Sequence, residues 1–300
     1  MATPKRTKCH KTELFRSITS SSVSEVESAP PETSIGGPQK QSKKVLPPPT
    51  EVPPGTLLPD DLAVWDNAVL LIDKPKGWTS FDVCGKLRGS LGGLLRRQNR
   101  KIKVGHAGTL DPMATGLLIV CIGKATKSID NFVAMKKEYS GVLRLGEATA
   151  SYDAESNVIL TKPWEHITDE ALLQARTGFL GNIEQLPPMF SAIKIAGKRL
   201  YESAREGKEV ERKRRNVSVD RFDLERDVDS PQNVKFYIEC SKGTYVRSLA
   251  HDLGFAAGTA AHLTVLRREA IGEFRVGSAW AMDDLVAALE NDKEKRAAAL

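Results

Sequence analysis

The chain has 300 residues, one large domain or two small ones, and 40% of them are apolar, enough for a real core. No apolar run reaches the roughly 18 residues that a membrane-crossing helix needs, and no membrane partner is expected. Lys and Arg outnumber Asp and Glu 44 to 38; residues 1–66 hold 8 of each, so the excess of +6 lies wholly in 67–300. A basic globular part points to a polyanionic partner.

Residues 1–60 are rich in Ser, Thr and Pro and poor in large apolar residues, so they cannot offset the entropy of ordering. The first 24 carry Lys5, Arg6, Lys8, Lys11 and Arg16 against the single acid Glu13, and serines cluster at Ser20–Ser22. With no apolar core segment, that is the composition of an organellar transit peptide rather than a secretory signal. A plain disordered tail is the alternative, because acids return at Glu25, Glu27 and Glu32. Lys43, Lys44 and Pro47–Pro49 read as linker, with order expected from about Ala63.

Ala68–Ile72 reads as a buried strand closed by a turn at Asp73–Gly77. Thr79 or Ser80 then caps a helix to about Leu95, with Asp82 in its first turn. Arg96, Arg97, Arg100, Lys101 and Lys103 follow without a negative charge, a run suited to phosphate. Leu117–Ile122 is a second buried strand, and 125–136 is expected to be one amphipathic helix with Ile129, Phe132 and Val133 on its inner face. Lys137–Leu145 alternates as a strand, and Gly146–Asn157 reads as a polar loop. Thr168 and Gly178 bracket a helix.

Residues 186–215 hold 9 basic residues and 4 acids, with Met189, Phe190 and Tyr201 interleaved. They read as a basic arm with stacking residues, hinged at Gly197 and Gly207, with Lys194, Lys198 and Arg199 toward RNA and a short helix near Arg199–Glu206. Strands are expected at Val217–Leu224, Val234–Cys240 and Leu263–Arg268, with helices at Thr244–Phe255 and Asp283–Leu289. Arg247 sits in a first helical turn, where the dipole disfavours a cation, so a specific carboxylate partner is expected. Arg267 and Arg268 are expected to face phosphates. Several strand pairs lack room for a helical crossover, so the fold is α/β (α+β) with a mostly antiparallel sheet.

The remaining signals are weaker. Cys9, Cys84, Cys121 and Cys240 have no C-x-x-C spacing; Cys121 and Cys240 lie in apolar runs and read as small buried hydrophobes in a reducing compartment. His10, His106, His166, His251 and His262 form no paired metal-ligand spacing, so no metal is expected. Gly123-Lys124 looks like the end of a phosphate-binding loop, but Leu118 and Ala125 stand where glycine and Ser/Thr are required.

The centre of the chain is Gly105-His106-Ala107-Gly108-Thr109-Leu110-Asp111-Pro112-Met113-Ala114-Thr115-Gly116. Pro112 biases Asp111 away from helix, and the strand behind anchors the loop, so Asp111 is expected to be held in a set direction. This loop resembles the catalytic motif of the TruB family of pseudouridine synthases. The likeness extends from about Leu70 to Glu273 through Ile72–Ser80, Lys137-Glu138-Tyr139, Pro187–Ala192, Gly243–Arg247 and Leu266-Arg267-Arg268.

The resemblance implies a pseudouridine synthase fold: a mixed, mostly antiparallel central sheet flanked by helices, with a catalytic cleft across its middle and a thumb loop at 186–215. It implies isomerisation of uridine at position 55 in the T-stem-loop of tRNA, by base flipping and without a cofactor. Asp111 would be nucleophile or base, toward ring carbon 6, the anomeric carbon or a glycal. Arg247 would keep it ionised, and Tyr139 would stack on the flipped base. His106 would fill the gap, Tyr245 and Leu266 would wall the pocket, and Lys74 and Lys124 would support it or contact RNA. Bacterial relatives usually continue into a small RNA-binding PUA domain; here only 27 residues follow Glu273. The expected organisation is an extension at 1–62, a catalytic domain at 63–290 and a short tail at 291–300, as in an organellar form of plant or algal type.

A monomer with no obligate protein partner is expected. A guide-RNA-dependent relative is disfavoured because such subunits depend on a PUA domain, and an RNA-folding chaperone of tRNA is the alternative of a different class. The location expected is an organelle, plastid before mitochondrion, with cytoplasm as the alternative. A fluorescent protein fused behind residues 1–62 should therefore collect in plastids, and diffuse fluorescence would remove the transit-peptide reading.

Overall fold

The structure, a computed structural model, describes residues 47–55, 58, 62–95 and 102–298. The first 46 residues and the run holding Arg96, Arg97, Arg100 and Lys101 lie outside the described residues.

Order begins before Ala63. Strand β1 (Thr50–Glu51) pairs in parallel with β2 (Asn67–Lys74), past the single turn α1 (Leu62–Trp65). Asn67 Nδ2 donates to the Pro47 and Pro48 carbonyls at 3.2 and 3.1 Å, and the Trp280 indole donates to the carbonyl of buried Val52 at 2.8 Å. These prolines therefore belong to the domain rather than to a linker. Helix α2 (Ser80–Leu95) starts at a reciprocal cap: Thr79 N donates to Asp82 Oδ2 at 2.8 Å, and Asp82 N to Thr79 Oγ1 at 3.0 Å.

Strand β3 (Val104–His106) and β4 (Thr115–Gly123) follow, both antiparallel neighbours within the sheet. The stretch 125–136 is not one helix. A 3-10 turn at Lys124–Ser128 precedes α3 (Ile129–Ala134), because the Thr126 hydroxyl bonds back to the Gly123 carbonyl at 2.7 Å. Strand β5 (Lys137–Leu145) has the expected bounds. The expected polar loop 146–157 contains β6 (Glu147–Thr149), which pairs with β7 (Val158–Thr161), and it buries Thr149, Ser151 and Asp153.

Helix α4 (Asp169–Thr177) is capped by Thr168, and β8 (Gly181–Gln185) leads into the basic arm. The arm folds as a small hairpin of β9 (Lys194–Ile195) and β10 (Lys198–Arg199), turned at Ala196 and Gly197 with φ of 50° and 84°, then α5 (Leu200–Arg205). Leu200 is buried, and Arg212 Nη1 donates to the Pro187 carbonyl at 3.0 Å, tying the end of the arm to its start. The chain continues through β11 (Arg215–Arg226), β12 (Asn233–Cys240), α6 (Val246–Ala256), β13 (Ala261–Ile271), β14 (Phe274–Arg275) and β15 (Trp280–Ala281). Helix α7 (Met282–Ala298) runs past the expected end at Leu289 and takes up most of the expected tail.

The main sheet runs β1-β2-β4-β13-β5-β12-β11-β8, antiparallel except where β1 and β15 join β2 and where β13 joins β4. It is the α/β, mostly antiparallel sheet flanked by helices that the sequence implies. One half of the core packs α2 and α7 on β2 and β4 through Leu87, Leu91, Leu118 and Leu285. The other packs α4 and α6 on β5, β12 and β11 through Leu143, Phe222, Ile238 and Leu249. Cys84 and Cys240 are buried in these two halves, and Cys121 in a third apolar cluster with Val69, Leu117 and Ile119, as expected for Cys121 and Cys240.

The halves meet where β13 runs beside β4 for two residues, Arg267 opposite Thr115 and Arg268 opposite Gly116. Gly116 has φ 102°, and a Cβ there would lie 2.3 Å from the Arg268 carbonyl oxygen. Only glycine permits this approach. The Asp111 loop rises directly from this seam.

Candidate active site

The loop from Ala107 to Ala114 is held from three sides. Behind it, Ser80 Oγ accepts from Leu110 N at 2.8 Å. Beside it, Lys74 is fully buried, and its ammonium donates to the carbonyls of Trp78 at 2.7 Å, Pro75 at 2.9 Å and Pro112 at 3.4 Å. Gly77 N reaches the same Pro112 carbonyl at 2.8 Å. Beneath it, buried Arg268 donates to the carbonyls of Leu117 at 2.7 Å and Gly108 at 3.1 Å, and its charge acts on the Tyr139 phenol. Leu110, Met113 and Ala114 are buried, so the proline-flanked carboxylate is fixed in direction.

In front stands Arg247, with only 5% of its side chain exposed. Its Nε meets Asp111 Oδ2 at 2.9 Å, and Nη1 meets Asp153 Oδ2 at 3.5 Å. Nη1 also donates to the Ser151 carbonyl and Nη2 to the Phe190 carbonyl, both at 2.8 Å. One guanidinium thus joins the Asp111 loop, the turn after β6 and the root of the basic arm. Asp153 is buried in turn and accepts from Ser151 Oγ at 2.5 Å and Glu155 N at 3.0 Å. Asp111 differs: 34% of its side chain opens outward.

Burial raises the Asp111 carboxyl above its ordinary value; Arg247 pulls it down, by charge and hydrogen bond, and Asp153 pushes it up. Burial likewise raises the phenols of Tyr139 and Tyr245, both close enough to feel the Asp111 charge. Tyr139 shares the inner face of β5 with Leu143 and Leu145. Tyr245 caps α6, its backbone N and O both bound by the buried Gln185 amide at 2.7 and 3.0 Å. Burial first, and Arg268 second, lower the His106 imidazole at the end of β3. Burial lowers Lys74 to about 8.

The site thus sets a strongly held carboxylate among two tyrosines, a histidine and an arginine. Residues 96–246 match the profile of the TruB family pseudouridylate synthase (N terminal domain), and 247–300 that of the tRNA pseudouridylate synthase B C-terminal domain. The chain belongs to the TruB family. The tRNA pseudouridine synthase B of Parabacteroides distasonis is 46% identical over 227 residues, 76% of this chain and 95% of that one. Its Bacteroides thetaiotaomicron namesake is 49% identical over 210 residues, 69% of this chain and 87% of that one. Among solved structures, a Cbf5-Nop10-Gar1 complex matches with TM-score 0.53 and 28% identity over 73% of this chain. The chain spans about half (53%) of that protein's length.

The TruB chain therefore brings together Asp111, Arg247, Tyr139, Tyr245, His106, Leu266 and Lys74. Lys74 spends its ammonium on backbone carbonyls, so it supports the loop instead of reaching toward a ligand. Lys124 is not there: it follows the last residue of nine-residue β4, roughly 25 Å along the strand from the Asp111 loop. Of the two arginines expected to face phosphates, Arg268 is turned inward and Arg267 is engaged by an acid. Arg267 grips both Asp73 oxygens, at 3.0 and 2.7 Å, and Arg268 is buried under the loop. In the arm, Lys194 is exposed, Lys198 pairs with Glu206 at 2.5 Å, and Arg199 bonds the Tyr201 hydroxyl at 3.0 Å.

Sequence reasoning missed Asp153, Ser151, Gln185 and the inward role of Arg268. For Arg268 a signal exists: on a strand it shares a face with Leu266, the expected pocket wall. For Asp153 none did, since an Asp in a polar stretch is ordinary.

Asp111 must be ionised to act as nucleophile or base, and burial raises its carboxyl above the ordinary value. The acid limb of kcat/KM should therefore lie above the ordinary carboxylate range, activity falling as pH drops through the raised Asp111 value. Arg247→Gln removes the charge and the hydrogen bond by which Arg247 lowers it, leaving only the weaker pull of Lys74, so the limb should move to higher pH, read from pH–rate profiles of the two proteins. A limb that stays put or moves down would contradict the assignment.

Proposed function

We propose that this protein is a stand-alone tRNA pseudouridine synthase that converts uridine 55 of the T-loop to pseudouridine. The observation that carries the reading is the Asp111–Arg247 pair at 2.9 Å, seated on a rigid glycine-bounded loop in a TruB chain. The reaction breaks the bond from ribose C1′ to ring N1 and forms one from C1′ to C5; the C5 proton leaves and N1 gains one. The base stays bound throughout, so no cofactor is required.

The target uridine must leave its stack to be reached. Asp111 is the carboxylate that acts on it, as nucleophile or base, and its open edge faces outward for that purpose. Arg247 orients the anion without needing to move. Tyr139 stacks on the extruded uracil, its phenol beside the Arg268 charge, while Tyr245 and Leu266 close the pocket walls. His106, kept neutral by burial, fills the gap left in the loop. The basic hairpin and α5 of residues 186–215 cover the RNA, and Phe190 links their root to Arg247.

The relatives named tRNA pseudouridine synthase B are matched over nearly their whole length, whereas the Cbf5 neighbours are matched over about half. That favours action on tRNA over the guide-RNA-dependent alternative. The purified chain alone should isomerise a T-loop hairpin, and Asp111→Asn, nearly isosteric, should bind it with unchanged affinity yet lose at least about 1,000-fold in turnover. Substantial turnover by that variant would sink the reading of Asp111. A full biological effect without turnover would favour the RNA-chaperone alternative.

A further inference from the structure

Helix α6 presents two side chains to the turn after β6. Arg247 meets Ser151 and Asp153, and His251, four residues on, lies flat against Tyr152, the residue between them. The two ring centroids are 3.8 Å apart and the planes 16° apart. Tyr152 has φ 65°, in the left-handed region that side-chain-bearing residues rarely adopt. In an extended chain, successive groups point to opposite sides. The left-handed residue turns the Ser151 carbonyl and the Asp153 carboxylate to the same guanidinium. Its backbone is pinned, with Tyr152 N donating to Thr149 O at 3.2 Å and Leu263 N donating to Tyr152 O at 3.0 Å.

The His251 ring serves as a flat surface rather than as a hydrogen-bonding group. Its Nδ1 is buried and has no hydrogen-bond partner, and burial lowers its pKa to about 4, so the ring is neutral near pH 7. Phe255 tilts against it at 4.8 Å, and Lys162 Nζ stands 4.7 Å from the Phe255 centroid. The column runs from the surface to the turn that holds Arg247.

We propose that Tyr152 and His251 are positioning residues of the active site: their stack holds the left-handed turn that presents Ser151 and Asp153 to Arg247, and through Arg247 it aims Asp111. The inference rests on Asp111 being the catalytic carboxylate. A stack that only stabilised the fold would change the melting temperature and leave turnover alone.

The test compares His251→Ala, His251→Phe and Tyr152→Phe by kcat and KM on a T-loop hairpin, and by the NMR signal of the Arg247 Nε–H. His251→Phe and Tyr152→Phe keep the flat pair and should stay within about 3-fold of the parent in kcat. His251→Ala should lower kcat on the order of 30-fold with KM unchanged, as small misplacements do. Its Arg247 Nε–H signal should broaden, while that of His251→Phe stays sharp. If His251→Ala does not fold, Tyr152→Gly, which tolerates the turn and deletes the ring, carries the same expectations. Parent-like turnover and a sharp signal in His251→Ala, or equal loss in His251→Phe, would overturn the proposal. An inactive parent protein whose Arg247 signal still followed the stack would instead refute the catalytic reading and leave the positioning role standing.

Discussion

Everything at this site depends on one buried cation. Arg247 sits where the dipole of α6 opposes it, and it is tolerated because its donors meet Asp111, Asp153 and two carbonyls from separate parts of the chain. Breaking such a pair costs about 3–5 kcal/mol, because the surviving charges stay buried without a partner. The arrangement is therefore close to all-or-none: the Asp111 loop, the turn after β6 and the arm root are placed together or not at all. That is how three segments far apart in sequence define a carboxylate direction without the site needing to close first.

The same device recurs around it in a purely structural form. Lys74, Arg268 and Lys137 are buried cations that spend their donors on backbone carbonyls, Lys137 on those of Phe132, Val133 and Met135 at the end of α3. Lys74 and Lys137 are both lowered by burial to about 8, the mark of charges kept in place by hydrogen bonds rather than by acids. Irregular loops crossing a sheet seam leave carbonyls that no ladder can satisfy, and an inward cation answers several at once. Such residues look like surface or RNA-binding charges until the loop they serve is seen.

This is also where the sequence was readable and where it was not. Strong periodicity and caps gave β2, β4, β5, α2 and α4 nearly residue by residue, because burial on both faces and Thr or Gly brackets are local signals. The carboxylate partner of Arg247 was legible from its misfit with the helix dipole. Lys124 misled because sequence nearness to a buried strand says nothing about which end of it the side chain occupies. Arg267 and Arg268 misled because a basic doublet suggests phosphate, whereas strand alternation sends one to Asp73 and the other beneath the loop. Asp153 was invisible, since its burial is set by β13 crossing beneath it at Leu263, a contact made more than a hundred residues away.

The central claim is that Arg247 acts on Asp111 as one unit with the Asp153 turn. The most direct measurement is a double-mutant cycle on kcat with Asp153→Asn, Arg247→Lys and the two combined, assayed on a T-loop hairpin at a pH above the acid limb. Residues in one network couple strongly, so the double variant should be slower than the slower single variant by no more than about 2-fold. Losses that multiply, leaving the double variant slower by the full product of the two, would show that Asp153 and Arg247 serve the reaction independently.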